Sequence, residues 1–503
     1  MALFIIQIPT DKSTSYSASS VYDEMIPVNW KPIAPVTVKL TDDISSYFKF
    51  RYILRVYVGS VADANLLATL KQRPNNFSTT TNSNAIFDIK GILNTQIDAT
   101  FPDSNDISKE IHKVGNNVTN KIFSLNDSQV KTIVVKATYE YATTSTSAPI
   151  EVTTGYVQIS MECTMASFGT FEYITYANPL DQFYNTSNNQ KYLFTDQYDE
   201  FEDVRQYNQQ VGGGSILKGR LNYVTGTSDY HTLAFMNKTA FGSDGNFLCL
   251  KYYDSSGSLV VTYTFENDIT QGGEPPSSAN DSSEYLLYAG VGTANLESYV
   301  GACYKDGIAL TPFDGQPSSI IPRWAYYSIF MCDKATGTAI RSRTYYFVKD
   351  YIDNTNCKDI EIIRLGWTNS LGAWDYFNFN AGQTQRIESE RMNYGQLLGT
   401  EFLDSANNYN YYNWQGGTRT LYNTAKLRTS LTTQYITKQE GDLLENLFKS
   451  NNVMIIESGS VVPVSQSVVI SNKSFVIKET AKDKLQIQYT FDIEYSNELN
   501  TNS

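Results

Sequence analysis

The sequence predicts a mainly β protein: multi-domain antiparallel β-sandwiches followed by a C-terminal α+β domain containing one helix. Three observations predict it. Apolar residues recur at every second position over long stretches, the period of a strand with one buried face. Pairs of such stretches flank short turns rich in Gly, Asp, Ser and Lys. Helical periodicity with start signals is rare, and 503 residues at ~150 per domain suggest roughly three domains.

The strands can be read in order. From Phe48 to Val58, one face carries Phe48, Phe50, Tyr52, Leu54, Val56 and Val58, and the other includes Lys49, Arg51 and Arg55. Residues 131–141 repeat the pattern through Ile133, Val135, Ala137, Tyr139 and Tyr141. Phe247–Tyr253 and Ser258–Phe265 flank Asp254-Ser255-Ser256-Gly257 and read as a hairpin. Tyr326–Cys332 and Arg341–Val348 flank a loop containing Lys334-Ala335-Thr336-Gly337, a second hairpin. Near the end, Leu485, Ile487, Tyr489, Phe491, Ile493 and Tyr495 alternate with polar residues. Alternation of this kind suits antiparallel sheets that wet one face.

The clearest helix is predicted over 437–449. Thr437 and Glu440 form a capping box, and Leu443, Leu444, Leu447 and Phe448 fall on one face, with Gly441 inside. A shorter helix is expected at Asp88–Ile97. After Phe379 the text reads strand, loop, helix, strand, strand, with Pro463 opening a strand.

Composition sets the domain boundaries. An N-terminal sandwich-like domain spans 1–165 and carries a polar insertion at 98–128. A β-rich middle spans 166–383, either one region or two sandwiches split at the Gly/Pro/Ser-rich linker 272–283. The α+β domain takes 384–503. Residues 177–215 are rich in Asn, Gln, Asp and Gly and read as a long connection or insert.

Acids outnumber bases 52 to 39, and the net charge of −13 argues against nucleic acid as a partner. No apolar run approaches the ~20 residues of a membrane span, so membrane insertion is not expected. The start, MALFIIQIPTDKS, lacks the basic lead of a secretory signal. Five cysteines without a CxxC spacing read as reduced, mostly buried thiols of a chain made in a cytoplasm-like compartment.

Candidate chemistry is sparse. Asp196, Asp199, Glu200, Glu202 and Asp203 contain carboxylates that would suit glycoside hydrolysis or calcium, with Asp199 and Glu202 as the pair, but their spacing reads more simply as a solvated loop. Ser243-Asp244-Gly245-Asn246 reads as a hairpin turn, and Gly212-Gly213-Gly214 lacks the Lys of a phosphate loop. The two histidines, His112 and His231, exclude most His-based sites. With Asp229 nearby, His231 would serve as a base, yet no nucleophile motif accompanies it, and a satisfied polar histidine is the simpler reading. No catalytic, cofactor-binding or metal-binding residue is assigned, and no cofactor is expected.

One segment differs in character: Arg364-Leu365-Gly366-Trp367-Thr368-Asn369-Ser370-Leu371-Gly372-Ala373-Trp374-Asp375-Tyr376-Phe377-Asn378-Phe379. Physically it reads as two aromatic strands around a turn, clamping a core. The string resembles a segment of virion structural proteins (tail, neck or baseplate) from tailed phages of Bacteroidetes, crAss-like phages included. Phe48-Lys49-Phe50, Val56-Tyr57-Val58, Leu70-Lys71 and Phe87-Asp88-Ile89 resemble their opening domain, and Tyr176-Ala177-Asn178-Pro179-Leu180 the start of their middle region.

The resemblance implies a β-rich, non-enzymatic virion subunit, a tail or neck ring component that assembles as a homo-oligomer with other tail or neck proteins. It would be made in the host cytoplasm and end in the virion. A receptor- or glycan-binding tail protein is the alternative, suggested by 37 tyrosines, and a polysaccharide-cleaving enzyme ranks third.

Overall fold

The computed structural model describes residues 2–9, 15–28, 33–75, 83–97, 112, 122–125, 130–164, 216–222, 229–236, 247–267, 286–316, 324–332, 334–338, 340, 344–350, 362–369, 372–395, 405–406, 408, 417–434, 436, 438–456, 465–472 and 488–496. Among the described residues the chain is mainly β, with 25 strands and three α-helices, one of them in the C-terminal region. They group into two compact units. Unit 1 holds Met1–Ile352, Trp367–Phe377 and Ser458–Pro463; unit 2 holds Asp353–Gly366, Asn378–Glu457 and Val464–Ser503.

Unit 1 begins with β1 (Leu3–Gln7), β2 (Ser20–Pro27), β3 (Pro35–Leu40), β4 (Phe48–Val58), β5 (Leu66–Gln72) and β6 (Ser83–Asp88). Next come α1 (Lys90–Asn94), β7 (Phe123–Leu125), β8 (Val130–Ala142) and β9 (Ile150–Thr164). A three-stranded sheet, β1-β3-β6, and a five-stranded one, β2-β9-β8-β4-β5, contribute to one core. Alternation explains it: Val36, Val38 and Leu40 enter from the first sheet, and Tyr52, Leu54, Val56, Ile133 and Val135 from the second. The edge strand β2 runs parallel to β9, where antiparallel pairing throughout was expected.

Phe48 departs from its predicted face. It is 47% exposed, whereas Ile53 and Tyr57, on the face opposite Tyr52 and Leu54, are buried. Pairing of β4 with β8 slips between Phe48 and Arg51, and Lys49 sits at φ 53°. A bulge at that point re-aims the side chain before it. The Asp88 carboxylate accepts from Lys90 N and Ala34 N, both at 3.0 Å, starting α1 within the predicted helical stretch.

The middle of unit 1 holds β10 (Ile216–Asn222), β11 (Thr232–Met236), β12 (Phe247–Asp254), β13 (Leu259–Glu266) and β14 (Leu286–Gly290). After α2 (Thr293–Ser298) come β15 (Cys303–Lys305), β16 (Ile308–Leu310), β17 (Trp324–Cys332) and β18 (Thr344–Asp350). Seven strands in the order β10-β18-β17-β12-β13-β15-β16 share a core with the sheet β11-β14-β7. Both predicted hairpins are present, β12 with β13 and β17 with β18. The Asp254 carboxylate closes the first by accepting from Ser256 N and Ser258 N. The short β7, from the 98–128 stretch, pairs with β14 and buries Phe123 in this second core.

Unit 2 carries most of the sheet β20-β19-β23-β24-β25-β22-β21. Its strands are β19 (Ile363–Thr368), β20 (Trp374–Phe379), β21 (Thr384–Gly395), β22 (Thr418–Thr432), β23 (Val453–Ile455), β24 (Gln466–Ile470) and β25 (Thr490–Tyr495). Residues 367–368 of β19 and 374–377 of β20 fall in unit 1. The helix α3 (Lys438–Lys449) buries Leu443, Leu444 and Leu447, and Phe448 sets its ring edge-on to Tyr489 and Phe491. Beyond residue 383 the described chain has five strands where the alternation pattern suggested three. Pro463 lies outside the described residues.

Candidate functional site

Several residues singled out in the sequence lie outside the described residues: Asp196, Asp199, Glu200, Glu202, Asp203, the glycines 212–214, and Ser243–Asn246. Asp229, His231 and His112 are described, and all three are buried. The structure brings the two histidines together.

They meet on Tyr376, inside the 364–379 segment. His112 Nδ1 lies 2.6 Å from the Tyr376 hydroxyl, which also lies 2.7 Å from Thr232 Oγ1. The His231 ring centroid stands 4.5 Å from that of Tyr376, and the His112 ring packs edge-on against Trp374 at 4.8 Å. Asn295 ties the main chains of both histidines: its Nδ2 donates to His112 O and its Oδ1 accepts from His231 N, each at 2.8 Å. Asp229 N donates to Thr293 Oγ1 at 3.0 Å. Gly292 closes the cluster, since a Cβ there would stand 2.4 Å from His231 N and 2.5 Å from Asp229 O.

Sequence order hides this cluster, because His112 and Tyr376 are 264 positions apart. Chemically it is a solvent-excluded brace between segments 229–232, 292–295, 374–376 and His112. Buried polar groups with mutual partners hold a fold in one arrangement. Among the described residues, no group of three or more His, Cys, Asp or Glu is placed to hold a metal ion.

The turn at Asn369 explains the other half of the segment. Asn369 Oδ1 accepts from Ala373 N at 2.9 Å, and Asn369 Nδ2 donates to Asp375 Oδ2 at 3.1 Å. Gly372 takes φ 83°, a left-handed backbone that favours glycine.

An exposed candidate surface lies in unit 2. All twelve residues of β21 are exposed, as are Thr418–Tyr422 of β22. Strand β22 pairs with β25 only over Arg428–Thr432, but with β21 over Thr418–Ser430. The remainder is a two-stranded arm of about ten residues, roughly 30 Å at strand rise.

Ion pairs hold its base. Arg386 reaches Asp492 at 2.7 Å, Arg428 reaches Glu388 at 2.9 Å, and Lys426 reaches Glu494 at 2.6 Å. Hydrogen bonding from Lys426, then from Arg428, holds the Glu494 carboxyl below the usual range. Farther out the arm turns apolar: Met392 is 52% exposed, Tyr422 51% and Leu421 60%.

No family model matches this chain, and no curated protein is significantly similar to it. The functional reading therefore rests on the arm, the buried brace and the sequence itself.

Proposed function

We propose that the chain is a non-enzymatic structural subunit of a tailed-phage virion, a tail or neck ring component that acts by multimeric assembly. One observation supports assembly most directly: the exposed β21–β22 arm. An isolated two-stranded ribbon is marginal in water, so an arm of this length gains stability by lying against something else. Support for the virion comes from the sequence of 364–379, which here supplies Trp374 and Tyr376 to the buried brace. The test has two parts: mass spectrometry of purified particles, and light scattering of the soluble protein over a concentration series. Finding the chain in particles, and a closed multimer in solution, is the expected result. Absence from particles together with a strict monomer would end the proposal.

A second reading, glycan binding, draws on one feature of the middle sheet. Tyr253 and Tyr326 stack at 4.8 Å with planes 12° apart, and Tyr346 lies 6.2 Å from Tyr326. These half-buried rings lie on β12, β17 and β18, with the Tyr346 ring tilted 51° to that of Tyr326, and aromatic side chains with a phenol suit a pyranose. A glycan array with no signal at any density would remove this reading.

A further inference from the structure

The geometry points to an oxidative modification site: Tyr253 on β12 and Tyr326 on β17 form the pair that a one-electron oxidant joins into an intramolecular dityrosine. The inference goes beyond the proposed function and does not depend on it.

Register brings the two rings together. Tyr253 stands directly opposite Tyr326 in the antiparallel β12–β17 ladder. Side chains opposed in this way have Cβ atoms about 4.5–5.5 Å apart. The ring centroids are 4.8 Å apart and the planes differ by 12°. Both rings are half-buried, so each is packed in place and still meets water. Burial is the main influence holding both phenols above the usual tyrosine range. Each therefore keeps its proton at neutral pH and releases it only as an electron leaves. Parallel overlap lets the ring oxidised first share its electron deficit with its neighbour.

Other close tyrosine pairs lack one of these features. Tyr252 and Tyr327 stack at 5.1 Å with planes 30° apart, but both are wholly buried, and the Tyr327 hydroxyl donates to Val291 O. Tyr139 and Tyr141 are 6.3 Å apart, and Tyr139 is buried. Tyr47 and Tyr141 come within 4.3 Å but cross at 53°, and Tyr47 precedes β4 rather than sitting in a ladder. Tyr346 lies 6.2 Å from Tyr326 and is tilted 51° to it. Among the described residues, Tyr253 and Tyr326 combine near-parallel rings, a fixed register and access to water.

The step balances with hydrogen peroxide, acting through a haem peroxidase, as the oxidant. Each phenol gives one electron to the peroxidase and one proton to water, leaving two tyrosyl radicals. A C–C bond forms between the ring carbons beside the two hydroxyls, and the hydrogens on those carbons move to the phenolic oxygens. The chain loses two hydrogen atoms in all, and the peroxide is reduced to two waters. The product ties β12 to β17 covalently, in a sheet that shares the middle core.

The experiment treats the dilute full chain with hydrogen peroxide and a haem peroxidase. Dityrosine fluorescence, intact mass and peptide mapping are read for the parent, Tyr253→Phe, Tyr326→Phe and, as the control, Tyr346→Phe. Phenylalanine keeps each ring in its packing, and circular dichroism verifies folding. The expected result is a parent lighter by two hydrogens, with a mapped link between the peptides carrying Tyr253 and Tyr326. Fluorescence should fall to background in both pair variants and persist in the control. Because the link is internal, its yield should not change with protein concentration. No dityrosine under conditions that couple free tyrosine would overturn the inference. So would a principal link at Tyr47–Tyr141 or between chains, or fluorescence that survives in Tyr253→Phe.

Discussion

Tyr376 is where three remote segments are joined through one hydroxyl, and its removal isolates that role. Tyr376→Phe keeps the ring against His231 but deletes the group shared by His112 and Thr232. The expected loss is about 1–3 kcal/mol, the usual cost of breaking a buried polar contact, read as a lower denaturant midpoint. An unchanged midpoint would mean the brace is not holding these segments. Gly292→Ala is expected to be at least as damaging, because its methyl would overlap main-chain atoms that have no room to retreat. Burial raises the Tyr52 phenol to about 12, and the Tyr346 phenol likewise. The neutral phenol is thus favoured in the folded state, and its contribution is full below about pH 10 and lost as pH rises through about 12. A late class of phenols should therefore ionise together with unfolding; ionisation of every phenol near pH 10 with the fold intact would contradict this. The sequence already made a satisfied polar residue the simpler reading for His231. That both histidines share one tyrosine was not legible, since no local pattern links positions so far apart.

Individual strands show which signals carry and which fail. Alternation located β4, β8 and β25, and the turns between apolar runs located β12, β13 and β17, although β4, β13 and β17 bury consecutive residues on both faces. Alternation gave no warning of β21, whose side chains are exposed on both faces, nor of the parallel edge pairs β2–β9 and β10–β18. Direction of pairing depends on which distant strand lies alongside, and periodicity does not encode that. The six-residue α2 is too short to show a helical stripe. Within the five-stranded sheet, Glu151 receives a forked pair from Arg55 at 2.5 and 2.7 Å, and a hydroxyl from Thr138. The Arg55 hydrogen bond is the main influence holding the Glu151 carboxyl below the usual glutamate range. That lowered value stabilises the folded state above the unfolded glutamate pKa, and the benefit disappears as pH falls through the folded one. Glu151→Gln should therefore lower the thermal midpoint at neutral pH and flatten its decline in acid. Parallel pH profiles for parent and variant would refute the assignment.

At the scale of the whole molecule, Cys163, Cys249, Cys303 and Cys332, among the described residues, are buried thiols not joined in disulfides. Burial raises the Cys303 thiol to about 12 and the Cys249 thiol higher still, with Cys332 beside it. A thiol reagent at neutral pH should find these four only after denaturation, and rapid labelling of any of them in the native chain would contradict the packing. The cysteine spacing anticipated reduced, buried thiols, because thiol burial is a property of composition as much as of arrangement. How the cores are shared was not legible: the 98–128 stretch reads as a polar insertion, yet it sends Phe123 into the middle core.

That placement has a consequence for synthesis. Leu125 pairs with Leu287, so β7 leaves the ribosome about 160 residues before its partner exists. The first sandwich has all its strands once Thr164 has emerged, but Phe123 must then wait, uncovered, through a long stretch of further translation. Release of the finished middle core is therefore tied to elongation rate, and slowing the ribosome between the codons for 165 and 290 would prolong the interval in which that apolar side chain is open to chaperones or to misassociation.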